Sequence, residues 1–202
     1  MTNQPDSRID PGAVRNLHAP WRMSYMDMLA AAAAAPGPAP AKPSASFLRD
    51  AWLHPELDTE RHVIVRTGAE SLRDADGAPR GGLILLNKYP YSNGHLLVCL
   101  GDPRMRMLDY SPAQRAELWS LVDLAIDLCE QTLNPQGVNV GCNQGAAAGA
   151  GLPEHIHVHV VPRWGGDVNF MSVVANVRVI PSALDDMHRR YLDTWQRIRP
   201  HP

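Results

Sequence analysis

His155-Ile156-His157-Val158-His159-Val160-Val161 is the stretch on which the reading of this chain turns. Its period is two. On a strand over 155–161, that period places the three imidazoles on one face and the aliphatic residues on the other, toward a core. Three groups with ordinary pKa values near 6.5 occupy a whole strand face. Three explanations compete. The first is an ordinary strand with solvent-facing histidines. The second is a metal site. Successive same-face positions lie roughly 6.6 Å apart, however, so three imidazoles do not readily share one ion. A further carboxylate or cysteine would also be needed, and Glu154 falls on the opposite face. The third is covalent phosphoryl chemistry, with one imidazole as nucleophile and its neighbours orienting it.

The residues on either side favour the third. Asn143-Gln144-Gly145-Ala146-Ala147-Ala148-Gly149-Ala150-Gly151 carries only small side chains between its glycines. Such a loop lets backbone N–H groups approach an anion closely. Beyond the histidines, Pro162-Arg163-Trp164-Gly165-Gly166-Asp167 offers a charged donor and an aromatic wall, although Trp164 serves simple packing equally well.

Further out, the pattern predicts an α+β domain over residues 47–202. His62 to Thr67, Leu83 to Leu86, His95 to Leu100 and Gly137 to Asn143 read as strands. Asp76-Gly77 is a turn signal inside 71–82. Ser111-Pro112 starts a helix that runs to about Leu133, with apolar residues at Leu118, Leu121, Val122, Ala125, Leu128 and Cys129 on one face. Asn134-Pro135 stops it. A closing helix runs from Pro181 to about Arg197. Residues 1–46 form an arm and an Ala/Pro-rich linker, and Pro36 and its neighbours forbid a continuous helix there.

The 202 residues carry 45% hydrophobic and 20% charged side chains, and the net charge is -2. That balance argues against a nucleic-acid polymer as partner. No stretch is long and apolar enough to span a bilayer. The polar N-terminus is no signal peptide. Three scattered cysteines, Cys99, Cys129 and Cys142, suit a reducing, cytoplasmic compartment.

The motif His-x-His-x-His followed by two aliphatics resembles the signature of the histidine-triad (HIT) proteins. Asn139 to Asn143, Ala148 to Gly151 and His155 to Phe170 look like the bacterial branch that contains diadenosine tetraphosphate phosphorylases. Leu86 to Leu96 resembles that branch's first nucleotide-binding loop. Ala19-Pro20-Trp21-Arg22 with Tyr25 resembles its N-terminal arm. The resemblance implies an antiparallel half-barrel sheet with two main helices, assembled as a homodimer or homotetramer. It implies cleavage of dinucleoside polyphosphates at the α-phosphate through a nucleotidyl-histidine, with water or phosphate as acceptor. Hydrolysis of an AMP-amine or acyl-adenylate, and non-catalytic nucleotide sensing, are the alternatives.

By the same resemblance His157 is the nucleophile, with a backbone carbonyl holding its other nitrogen. His155 and His159 bond the phosphate and the leaving group, and His95 is a further site histidine. Asn87 contacts ribose. Asn143 and the backbone of Gly149, Ala150 and Gly151 grip phosphate, and Trp164 borders the substrate. No cofactor is implied. Relatives carry a zinc-binding cysteine pair near Ala45-Ser46-Phe47-Leu48, and here both cysteines are missing, so no structural zinc is expected. Gly151 also departs from the polar residue common at its position. Arg104-Met105-Arg106-Met107 finds no explanation at this level.

Overall fold

The computed structural model describes residues 46–73, 77–167 and 182–199. The arm and linker, Val168 to Phe170 of the histidine block, and the predicted helix start at Pro181 lie outside them. A short helix α1 (Phe47–Leu53) comes first. It is followed by strands β1 (Val63–Arg66), β2 (Ala69–Arg73), β3 (Pro79–Arg80), β4 (Gly82–Leu86) and β5 (Leu96–Leu100). Then come helix α2 (Pro112–Leu133), strands β6 (Gly137–Cys142) and β7 (Val158–Arg163), and helix α3 (Leu184–Ile198). Five strands form one sheet in the order β1-β4-β5-β7-β6, and every pair in it is antiparallel. β2 and β3 make a small separate ribbon, which occupies the segment read from sequence as a turn. The expected α+β architecture, an open antiparallel sheet flanked by helices, is what is found.

Alternation along the central strands explains how the layers sit. Ile84, Leu86, Leu96, Val98 and Leu100 join Ile156, Val158 and Val160 in one core under α2 and α3. Leu83, Leu85, Leu97 and Cys99 point the other way and meet Leu48, Ala51 and Trp52 of α1. Strands covered on both faces lose their polar alternation, which is why β4 and β5 are continuous apolar runs. Gly101 is required by this second layer: a Cβ there would lie 2.1 Å from the Trp52 ring.

Local signals set the helix ends. The Ser111 hydroxyl accepts the Gln114 N–H while the Gln114 side chain accepts the Ser111 N–H, closing a capping box. Asn134 adopts the left-handed conformation (φ 45°) that ends α2. Helix α1 was not recognised in the sequence. Its cap is Ser46, whose hydroxyl accepts the N–H groups of Leu48 and Arg49.

Helix α1 is only seven residues long and covers β1, β4 and β5. Among the described residues it does not reach the same face of β7 and β6, where His159 lines a cavity.

Candidate active site

The strand carrying the motif begins at Val158, three residues later than expected. His155 precedes it in a bend and His157 in irregular chain. The three imidazoles are not equally presented: His159 lines a cavity, His157 lies almost buried beside it, and His155 is sealed inside.

His155 is the sealed one, with no exposed surface. Its Nε2 lies 2.8 Å from the Leu100 carbonyl and its Nδ1 2.7 Å from the Ser46 hydroxyl. A carbonyl can only accept, so the ring proton sits on Nε2. Nδ1 then accepts from Ser46. Burial pushes this imidazole down to about 4 and keeps it neutral. With both nitrogens engaged, His155 has no atom left for a phosphate, which corrects its expected role. It positions its neighbour instead: the His155 carbonyl oxygen lies 2.9 Å from His157 Nδ1. That bond places the His157 proton on Nδ1 and leaves a lone pair on Nε2.

A second relay starts in the loop after β4. The backbone N–H of Tyr91 and the amide of Asn87 both donate to His95 Nδ1, at 3.0 and 3.2 Å. The His95 proton must then sit on Nε2, which donates over 3.0 Å to His159 Nδ1. His159 in turn carries its own proton on Nε2, as a donor. Burial, then the neighbouring charge of His157, hold His159 at about 4, so it too is neutral near pH 7. The rings of His157 and His159 meet edge to face at 4.9 Å. Sheet register produces this meeting. His159 pairs with Leu97 across β5 and β7, and His95 lies two residues before Leu97 on the same side. One face thus presents an imidazole lone pair beside an imidazole N–H, an arrangement suited to attack on a phosphorus centre with a donor for the departing oxygen.

The small-residue loop folds as a 3₁₀ turn over Ala146–Ala148, with Gly145 and Gly149 at φ 85° and 83°. Those angles require glycine. The Asn143 amide donates to the Gly149 carbonyl at 3.4 Å. A Cβ at Gly151 would meet nothing within 4 Å, so that stretch of backbone is open to a ligand. The Gln144 side chain accepts the Met107 N–H (3.0 Å), and the Arg104 carbonyl accepts the Ile156 N–H (2.7 Å). The unexplained Arg104 to Met107 run is therefore a brace between this loop and the histidine segment.

A cavity of about 400 Å³ opens beside His159, lined among others by Tyr91, Asn139, Asn143, Arg163 and Asp167. Trp164 does not line it. Its backbone N–H bonds Asp167 within the turn after β7, so the structure does not bring Trp164 to the cavity with its neighbours. Asn87 is placed against His95 rather than in the cavity. Sequence reasoning missed Ser46, Tyr91, Asn139 and Asp167. For Asn139 the available signal was strand parity with Asn143 on the strand expected over 137–143; for Ser46 it was a capping residue directly before an apolar helical segment. Among the described residues no cluster of three metal-ligating side chains occurs, and no helix is long and apolar enough to cross a membrane.

The HIT domain family model matches residues 79–166. A Mycobacterium tuberculosis protein named AP-4-A phosphorylase is 36% identical over 186 residues, covering 91% of this chain and 86% of the relative. The asymmetrical bis(5'-nucleosyl)-tetraphosphatase of Schizosaccharomyces pombe is 30% identical over 89 residues, 44% of this chain and 48% of that protein. Among solved structures, Plasmodium falciparum diadenosine triphosphate hydrolase superposes with a TM-score of 0.50 at 14% identity, over 69% of this chain and 77% of that one, a likeness of fold.

Proposed function

We propose that this chain, which belongs to the HIT-domain family and is one of its nucleotide-cleaving enzymes, cleaves dinucleoside polyphosphates of the diadenosine tetraphosphate kind at the α-phosphate. The observation that carries the reading is the bond from His157 Nδ1–H to the His155 carbonyl, 2.9 Å long, which leaves Nε2 as the ring nitrogen for attack, beside His159. Nε2 attacks the α-phosphorus. The bond from that phosphorus to the bridging oxygen breaks, and the departing oxygen is met by the Nε2–H of His159, backed by His95. The bridging electron pair leaves with the distal nucleotide. An acceptor then attacks the nucleotidyl-histidine from the same open face and restores free His157. Asn143 and the backbone of Gly149, Ala150 and Gly151 border the phosphates, and Asn87 serves the ribose while its amide holds His95.

Inorganic phosphate is the acceptor we favour, because the relative matched over most of its length is named a phosphorylase. We further assign a homodimer through β6. Among the described residues this strand pairs only with β7, and most of its residues, Val140 among them, are exposed, so its other edge can extend the sheet into a second copy. The three cysteines, all free thiols and two of them buried, support a reducing compartment, the cytoplasm. Residues 1–46 are assigned as an arm and linker appended to the catalytic domain of residues 47–202.

The test is incubation with diadenosine tetraphosphate, with and without inorganic phosphate, followed by chromatography of the products. ADP with ATP, formed only when phosphate is present, is the expected result. AMP with ATP in its absence would make water the acceptor. No turnover of the dinucleotide, with release of AMP from an adenosine phosphoramidate, would overturn the substrate assignment.

A further inference from the structure

We propose that the cavity over the β6–β7 face is the subsite for the far nucleoside of a dinucleoside polyphosphate, held at its outer end by Arg163, Asp167 and Asn139. This rests on the reading above. The direction comes from the strand. His157, His159, Val161 and Arg163 alternate onto one side of the chain, and the last three line the cavity. His159 faces the departing oxygen, so the leaving group extends from His159 along β7. Arg163 lies two same-side steps further on, roughly 13 Å away. The distal phosphates then occupy the near part and whatever caps them reaches Arg163.

The walls say what that cap is. Tyr91, whose ring packs 5.6 Å from that of His159, forms one side. Val161 adds aliphatic surface. Gly141 stands opposite His159 in the register, and a Cβ there would meet nothing within 4 Å, so the floor is open. Aromatic and aliphatic walls with a few convergent polar groups suit a base and a sugar rather than bare phosphate.

The outer end agrees. Arg163 donates from Nε and Nη2 to the two oxygens of Asp167, at 2.6 and 2.9 Å, and from Nη1 to the Asn139 side chain at 2.7 Å. Asp167 also accepts the Trp164 N–H. The guanidinium beside it holds the Asp167 carboxyl at about 2, so the pair is ionised and its charges cancel. A phosphate group would meet a carboxylate there. Base edges and sugar hydroxyls instead meet fixed acceptors on Asp167 and the two guanidinium N–H groups that these three bonds leave over.

The experiment compares kcat/KM for diadenosine tetraphosphate with that for adenosine 5'-tetraphosphate, which has the same phosphates and no far nucleoside. Wild type is measured beside Arg163→Ala and the near-isosteric Asp167→Asn. The ratio of the two substrates is expected to fall by about tenfold or more in each variant, mainly through KM of the dinucleotide, the size expected for losing a charge-assisted hydrogen bond. Equal losses on both substrates would mean that the pair only staples its turn, and would overturn the subsite. An unchanged ratio, with wild type cleaving the dinucleotide, would overturn the subsite and leave the proposed function standing. Wild type that cleaves neither substrate would overturn both.

Discussion

The two halves of one sheet face make opposite use of histidine. Under α1 the face is dry, and His155 lies there with no exposed surface, both ring nitrogens engaged by Ser46 and Leu100. Past the edge of α1, His159 lines the cavity with His157 beside it, and among the described residues their rings keep one free lone pair and one free N–H. The imidazoles at 155 and 159 are both held at about 4, chiefly by burial, yet one is a strut and the other faces the cavity. A perturbed pKa therefore does not separate the roles here. The count of unsatisfied ring nitrogens does.

Breaking the open half should have the largest consequence. His157→Ala is expected to lower kcat by at least about 10³-fold while nucleotide affinity stays nearly intact, because covalent attack is a transition-state role. Single-turnover kinetics alongside equilibrium binding would check this. A variant that keeps a few per cent of wild-type turnover would remove His157 from the role of nucleophile.

Acid probes the sealed half. Below pH 6.5 the unfolded chain protonates His155, whereas the folded chain does not until about pH 4. The unfolded state thus binds more protons, and stability falls as pH drops from 6.5 toward 4. The shift corresponds to about 3 kcal/mol for this one group. Urea unfolding at pH 7.5, 6 and 5 should show the loss, and His155→Asn should remove about half of it, the rest coming from His159, which is held at about 4 as well. A wild-type stability that is level over this range would contradict a sealed, neutral His155.

The smallest effect sharpens the boundary between the halves. Ser46→Ala removes the cap of α1 and the donor to His155 Nδ1 together, and should cost about 2 kcal/mol of unfolding free energy. Ser46→Thr, which keeps the hydroxyl, should recover most of it. Equal losses in the two variants would show that the hydroxyl is not what matters.

Much of this was legible beforehand, and for identifiable reasons. The helix over 112–133 announces itself through Ser111-Pro112, a 3.6-residue apolar repeat and Asn134-Pro135, all local in sequence. The apolar runs of β4 and β5 reveal buried strands because both of their faces are covered. Helix α1 escaped notice because seven residues carry too little periodicity, and its helicity is secured by docking Leu48, Ala51 and Trp52 on the sheet. The ribbon of β2 and β3 escaped because its pairing is irregular and its strands are short.

By itself, then, the sequence determined the α+β class, the cluster of histidines and the small-residue glycine loop, since each is written in local sequence. Tertiary structure alone decided which ring nitrogens are engaged. Ser46 stands 109 residues from His155 and Leu100 stands 55 away. Likewise, only the pairing of β5 with β7 brings His95 to His159. A two-residue period can place imidazoles along a chain, but the proton each one carries is set by the partner at its other nitrogen, and those partners arrive only when distant segments pack.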